Sequence, residues 1–178
     1  MRAHESGLFY MSKILTTEYL SPVGKLIIGS IDEQLCLCDW QERKARSTVD
    51  SRLAKGLSAE FAYANSDFNQ QAINQLEAYF AGELTQFSIP LKLVGTHFQK
   101  LVWQGLQAID YGQTQSYGEL ATKLNMPSAV RAVANANGAN AISIIVPCHR
   151  IIGSNGKLTG YAGGLAAKKR LLEIEGVS

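Results

Sequence analysis

Disulfides have little to build with in this chain of 178 residues, which carries only three cysteines, an odd number. That count fits free thiols in a reducing, cytoplasmic compartment and argues against a disulfide-stapled secreted scaffold. No apolar run approaches the ~18 residues of a membrane span. The opening Met1-Arg2-Ala3-His4-Glu5-Ser6-Gly7 has no apolar core, so no secretory signal is expected. Residues 1–11 read as a short extension or as the true start, Met11 being the alternative initiator. Metal ligands are sparse as well. Cys36 and Cys38 sit two apart on an expected strand, facing one side, and neither His4 nor His97 has ligand spacing with them. Core packing is therefore the expectation for both cysteines, and no metal site is expected.

Charge is also scarce. Charged residues make up 18% of the chain against 46% hydrophobic, an ordinary globular composition, and the net charge is +2. The length suits one large domain or two small ones sharing a core. The charge is unevenly placed. Thr96 to Ser178 carries eight Lys/Arg against four Asp/Glu, net +4, and the preceding residues nine against eleven, net −2. A modest nucleic-acid footprint would produce this asymmetry, and so would surface scatter.

Strand patterns occupy Lys13–Leu20, Gly24–Gly29 and Gln34–Cys38, punctuated by Ser21-Pro22 and Asp32-Glu33, as in an antiparallel meander. Residues 41–65 show no clean period and read as loop with a short helix. Asp67-x-x-Gln70 has the form of a capping box, opening a helix with Ile73, Leu76, Tyr79 and Phe80 on one face and Gly82 at its end. Residues 83–94, with Pro90, read as a linker. Thr96-x-x-Gln99 opens a second helix with Phe98, Leu101, Val102, Leu106 and Ile109 at helical spacing. Ser116-x-x-Glu119 opens a third, ending near Leu124, and Pro127 begins a fourth running to about Asn137, with Gly138 past its end. These two short helices have the layout of a helix-turn-helix. The second is rich in alanine, which lets it lie close to a core or a DNA groove. Asn155-Gly156 signals a turn, and a last helix runs from about Gly164 to Glu175. The fold class is α/β, with an N-terminal domain over 1–90 and a helical domain over 95–178.

The most informative stretch is Pro147-Cys148-His149-Arg150, after the apolar run Ile142–Val146. A cysteine is nucleophilic as its thiolate, which a neighbouring imidazole or cation favours. Pro147 interrupts a strand ladder. Consecutive strand residues point to opposite faces, so Cys148 and His149 share a site only if the backbone turns there or a water links them.

Around this stretch lie Phe98-Gln99-x-x-Val102-Trp103, Ser116-Tyr117-Gly118-Glu119-Leu120-Ala121, Arg131-Ala132-Val133-Ala134, Asn137-Gly138-x-Asn140, Gly160-Tyr161-Ala162-Gly163-Gly164-Leu165-x-x-Lys168 and Glu175-Gly176. In this order and spacing the chain resembles the O6-alkylguanine-DNA alkyltransferases, densely from about Gly95 to Gly176 and in the N-terminal half through length and strand pattern.

The resemblance implies a C-terminal domain with a winged-helix-like helix-turn-helix. It also implies direct reversal of O6-alkylguanine in double-stranded DNA, and of O4-alkylthymine. The alkyl group moves irreversibly to Cys148, once per molecule, with no cofactor and by a monomer. His149 becomes the base, linked to Cys148 by a water, and Glu175 favours its cation, so the thiol pKa is expected below its reference of about 8.5. Asn140 secures the turn around the cysteine, although Ala141 stands where the family usually has Pro. Arg131 matches the arginine inserted into the base stack, and Tyr117 the tyrosine crowding the neighbouring phosphate, with the recognition helix in the minor groove. Tyr161 lies against the extruded base, and the Cys148 and Ile151 carbonyls accept its exocyclic amine. Ala162 replaces a common Ser, and Ser154 is a candidate DNA contact. Lys168 aligns with the lysine after Gly-Gly-Leu, while alone it would read equally as a solvated helix lysine.

Two alternatives remain. A non-catalytic lesion sensor would lack the reactive cysteine, and a cysteine hydrolase would need an oxyanion hole, for which no motif is apparent.

Overall fold

A computed structural model describes residues 11–178; the extension before Met11, with His4, lies outside the described residues. The N-terminal half forms a four-stranded sheet in the order β3-β2-β1-β4. β1 (Ser12–Ser21), β2 (Gly24–Ile31) and β3 (Gln34–Trp40) are the antiparallel meander expected from their alternation. Residues 41–65 hold more order than their pattern suggests: α1 (Arg46–Leu57) and β4 (Ala59–Tyr63), the latter parallel to β1. The signal is weak because α1 buries only Val49 and Leu53. α2 (Asp67–Phe80) covers the opposite face of the sheet through Ala72, Ile73, Leu76 and Tyr79.

Cys36 and Cys38 do not share a face as alternation suggested. Gly29 pairs with Leu37 but Ser30 with Leu35, so Cys36 is an extra residue in β3 opposite no partner. This bulge re-aims the strand. Cys36 packs with Ile14, Leu37, Val49 and Leu53 under α1, and Cys38 with Leu26, Ile28 and Leu76 under α2. Both are free thiols, as the odd count implied.

The cap of α2 also differs from expectation. Ser66, not Asp67, is the N-cap, its Oγ accepting from Asn69 N at 2.9 Å. Both residue types cap well, and buried Asn69 decides the register: its Nδ2 donates to Leu15 O and Thr17 Oγ1. The linker is not free chain. Leu35 N donates to Pro90 O and Lys92 N to Leu35 O, so residues 90–92 cover the open edge of β3, which would otherwise present unpaired groups.

The C-terminal half is mainly helical. α3 (His97–Gln107) begins with the Thr96/Gln99 capping box and buries Val102, Trp103 and Leu106. The Ser116/Glu119 box opens α4 (Tyr117–Lys123). α5 (Val130–Gly138) starts three residues after Pro127 and includes Gly138. Pro127 is instead the second residue of a turn closed by Ala129 N to Met126 O at 2.9 Å, a position that uses the same fixed φ as a helix start. β5 (Gln115–Ser116) pairs in parallel with β6 (Ile151–Ile152), and α6 (Leu165–Ile174) ends the fold. One apolar cluster runs from Leu26 and Cys38 through α2, α3 and Val133 to Leu171, so the two halves share a core. Among the described residues no helix is long and apolar enough to cross a membrane.

Candidate active site

The segment leading to Cys148 is pinned before it turns. Cys38 N donates to Ala141 O and Ser143 N to Cys38 O, fastening residues 141–143 to the edge of β3. Two tight bends follow. Ile144 has φ 74°, where a β-branched residue is strained, and Ile145 N donates to Ser143 O around it. Pro147, at φ −82° and ψ 64°, makes an inverse γ-turn with Cys148 N donating to Val146 O at 2.8 Å. A single 3-10 turn then holds Cys148, His149 and Arg150, all three buried. The backbone thus turns where Pro147 breaks the strand, and Cys148 and His149 enter one core.

Asn140 organises the near side. Its Nδ2 donates to Cys148 Sγ at 3.2 Å and to Val146 O at 2.9 Å, while its Oδ1 accepts from Ile142 N at 2.9 Å. These bonds hold the turn without a proline at 141.

The far side is an ion network centred on Glu175, the C-cap of α6. Glu175 Oε2 accepts from His149 Nε2 and Tyr79 OH, each at 2.6 Å, and from Arg150 at 3.2 Å. Oε1 accepts from Arg150 Nε at 2.8 Å and Gly112 N at 3.2 Å. Burial opposes ionisation, but the donors from His149, Arg150 and Tyr79 prevail and hold the Glu175 carboxyl down at about 2. A carboxylate at the negative end of a helix dipole needs a cation beside it, and Arg150 is that cation. Because ionised Glu175 can only accept, His149 donates from Nε2 and is basic at Nδ1. Nδ1 is buried and has no protein partner among the described residues.

The protonation states differ from those expected. Burial pushes the Cys148 thiol above its ordinary range, against the opposing pull of Asn140, Arg43 and Lys168. Burial likewise lowers the His149 pKa, outweighing Glu175, so the imidazole rests neutral. The reason is shared. Both groups lie buried in one core, where separating charge between them is costly.

Tyr161 packs edge-on against Trp40, with ring centroids 5.1 Å apart, and faces His149 at 6.4 Å. Its hydroxyl is buried and unpartnered among the described residues. A cleft of about 440 Å3 opens here, lined by Trp40, Arg43, Lys44, Tyr161, Ala162 and Gly163. A Cβ on Gly163 would lie 2.4 Å from the Trp40 ring, so only glycine permits this closeness. Ile151 is buried in β6, and its N–H donates to the Cys148 carbonyl, leaving that oxygen one lone pair. Lys168 is fully buried rather than solvated, and Nζ donates to Thr159 O at 3.3 Å and Oγ1 at 3.4 Å. Tyr117 shares a hydrogen bond of 3.3 Å with Thr159 Oγ1. Arg131, in the first turn of α5, and Ser154, in the turn after β6, are exposed and stand apart from the buried cluster.

Comparison with known proteins bears on both halves. Residues 97–177 match the model of the 6-O-methylguanine DNA methyltransferase DNA-binding domain, and residues 14–93 that of the ribonuclease-like domain of the same family. A methylated-DNA--protein-cysteine methyltransferase of Methanosarcina acetivorans is 46% identical over 88% of this chain and 94% of its own length. The chain belongs to the 6-O-methylguanine DNA methyltransferase family. A Mycobacterium leprae relative of the same name is 48% identical over 87% of this chain and 88% of its own. Among solved structures, the methyltransferase OGT of Mycobacterium tuberculosis in complex with DNA superposes with a TM-score of 0.77 at 44% identity, covering 92% of each chain. The O6-methylguanine-DNA methyltransferase of Pyrococcus kodakaraensis gives 0.71 at 28%, over 92% of this chain and 99% of that one.

Against this family frame, several residues at the site escaped sequence reasoning. Arg150 was inside the diagnostic tetrapeptide, and Tyr79 lay on the apolar face of α2 where it read as core. Trp40, Asp39 and Arg43 come from the end of β3 and the patternless stretch after it. Arg43 donates to Asp39 Oδ2 and Asn140 O, each at 3.0 Å, and to Gly138 O. Arg52 donates to Ala139 O at 2.6 Å. The N-terminal half thus caps the carbonyl end of α5 with guanidinium groups, which favourably oppose the helix dipole.

Proposed function

We propose that Cys148 takes the alkyl group directly from O6-alkylguanine in double-stranded DNA, and also from O4-alkylthymine, in a single irreversible transfer by a monomeric, cytoplasmic protein. The observation that carries this reading is the thiol held by Asn140 beside a neutral His149 whose Nε2 is committed to ionised Glu175. His149 Nδ1 takes the thiol proton through a bridging water, and sulfur displaces the alkyl carbon from O6. The C–O bond breaks, its electron pair stays on the base, and the base is reprotonated to guanine. Cys148 keeps the alkyl group as a thioether. The protein is itself the acceptor, so the reaction needs no cofactor.

A thiol in a buried cluster reaches a base only if the nucleotide leaves the stack. The helix-turn-helix of α4 and α5, with β6 and the following turn as a wing, presents Arg131 to fill the gap, Tyr117 to press the backbone and Ser154 to touch the DNA. Tyr161, Ala162 and the Ile151 and Cys148 carbonyls form the base pocket, with Lys168 as a further substrate-binding residue. Residues 95–178 are the DNA-binding and transfer domain, and residues up to 90 support it.

Intact-mass and peptide analysis after mixing with duplex DNA bearing O6-methylguanine tests the reading. One added methyl on the Cys148 peptide is expected, and Cys148→Ala should keep DNA binding while losing transfer. Methylation at Cys36 or Cys38, or many turnovers, would overturn it; binding without any transfer would leave the sensor reading.

A further inference from the structure

Lys168 is an unusual residue for its place. Its side chain is fully buried, no carboxylate pairs with it among the described residues, and both its hydrogen bonds go to Thr159. Its positive charge favours the Cys148 thiolate. The same Thr159 hydroxyl also binds the phenol of Tyr117, at the start of α4. One hydroxyl therefore joins a residue of the proposed DNA-facing helix to a buried cation, from a loop that belongs to neither element. Thr159 Cγ2 also lies close to Gly153, at 3.3 Å from a Cβ built there, so the loop is packed against the turn that follows β6.

We propose that Thr159 is a positioning residue for alkyl transfer, its hydroxyl tying Tyr117 to the Lys168 ammonium so that the DNA-facing surface and the thiol pocket are set together. An ammonium has three donors, and Thr159 occupies two of them. The third is left for the developing thiolate or the substrate, and its direction is fixed by the other two. Losing the hydroxyl removes one anchor from Lys168 and the only hydrogen-bond partner of the Tyr117 phenol among the described residues. The inference rests on the alkyl-transfer reading of Cys148.

The test compares single-turnover transfer from duplex DNA bearing O6-methylguanine for wild type, Thr159→Val, Thr159→Ser, Tyr117→Phe and the Thr159→Val/Tyr117→Phe double variant. Val keeps the shape and removes the hydroxyl, and a hydrogen bond of ordinary strength corresponds to a rate loss of about fivefold. Ser restores the hydroxyl and should stay near the wild-type rate. The double variant should be no slower than the slower single variant, because the two side chains act as a unit. Three results would overturn the proposal: an unchanged Thr159→Val rate, which with a slowed Thr159→Ser would assign the effect to methyl packing on Gly153, a loss for Ser as large as that for Val, since the hydroxyl would then not be what preserves the rate, or losses that multiply in the double variant. Wild-type protein that takes no methyl group on Cys148 would instead overturn the reading of the site itself, and this inference with it.

Discussion

At Cys148, burial and hydrogen bonding pull the thiol in opposite directions, and burial prevails. A protonated thiol at rest is poorly reactive toward stray electrophiles, and in the proposed mechanism activation waits for a substrate that brings carbon to sulfur while His149 accepts the proton. This sets the pH dependence. With neutral His149 as the proposed base, its lowered pKa keeps it in the active form to more acid pH than a free imidazole, whose midpoint lies at about 6.5. Single-turnover transfer to a free-base substrate should therefore stay level from neutral pH downward and decline only below about 6.5. His149→Ala should be slow at neutral pH and recover partly in alkali as thiolate forms directly. A wild-type midpoint above 6.5 would contradict a neutral buried base.

In the proposed function the helices divide the work of reaching a base from the work of reacting with it. α5 buries Val133, Ala136 and Asn137 and leaves Val130, Arg131, Ala132 and Asn135 outward. Apart from Arg131, this outward face is small or uncharged, so the proposed close approach to DNA would rest on shape and a single cation. Arg131→Ala should slow transfer from duplex DNA by at least about tenfold, since extrusion costs a few kcal/mol, while transfer from a free base stays unchanged. Rate measurements on the two substrates check this, and equal losses would place Arg131 in the fold or the pocket. Element boundaries were legible where a side chain supplied the cap, as at Thr96 and Ser116, and less so where two residues competed for the role. Ser66 and Asp67 could both cap α2, and Pro127 suits both a helix start and a turn. In each case contacts distant in sequence decided, with Asn69 fixing one register.

At the scale of the whole molecule, Glu175 links pH to stability. Its carboxyl is held at about 2 by His149, Arg150 and Tyr79. A depressed carboxyl contributes stability that is complete above its unfolded value, about 4.3, and is lost as pH falls through its folded value. Conformational stability should therefore fall between about pH 4.5 and 2, by on the order of 3 kcal/mol from this group. His149, also depressed, adds a loss of the same sign that begins below about 6.5. Glu175→Gln leaves Arg150 buried without its anion, which costs about 3–5 kcal/mol at neutral pH. Urea unfolding at a series of pH values checks both: the variant should be less stable at pH 7, and the difference should shrink toward pH 2. A constant difference would mean that the carboxylate charge is not what Glu175 contributes.

The sequence by itself determined what depends on neighbours along the chain: the three-stranded meander, the two capping boxes, the break at Pro147 and the placing of Cys148 beside His149. Motif order along the chain carried the family as well. Only the tertiary structure decided what depends on residues far apart. It placed Trp40, Asp39 and Arg43 at the end of β3 against the pocket and the end of α5. It also sent Cys36 and Cys38 to different clusters by one bulged residue, and buried Lys168 under Thr159. The protonation states were decided there too. A local sequence names the groups that could lower a thiol's pKa, but desolvation is a property of everything packed around it, and in this protein that outweighed the neighbours.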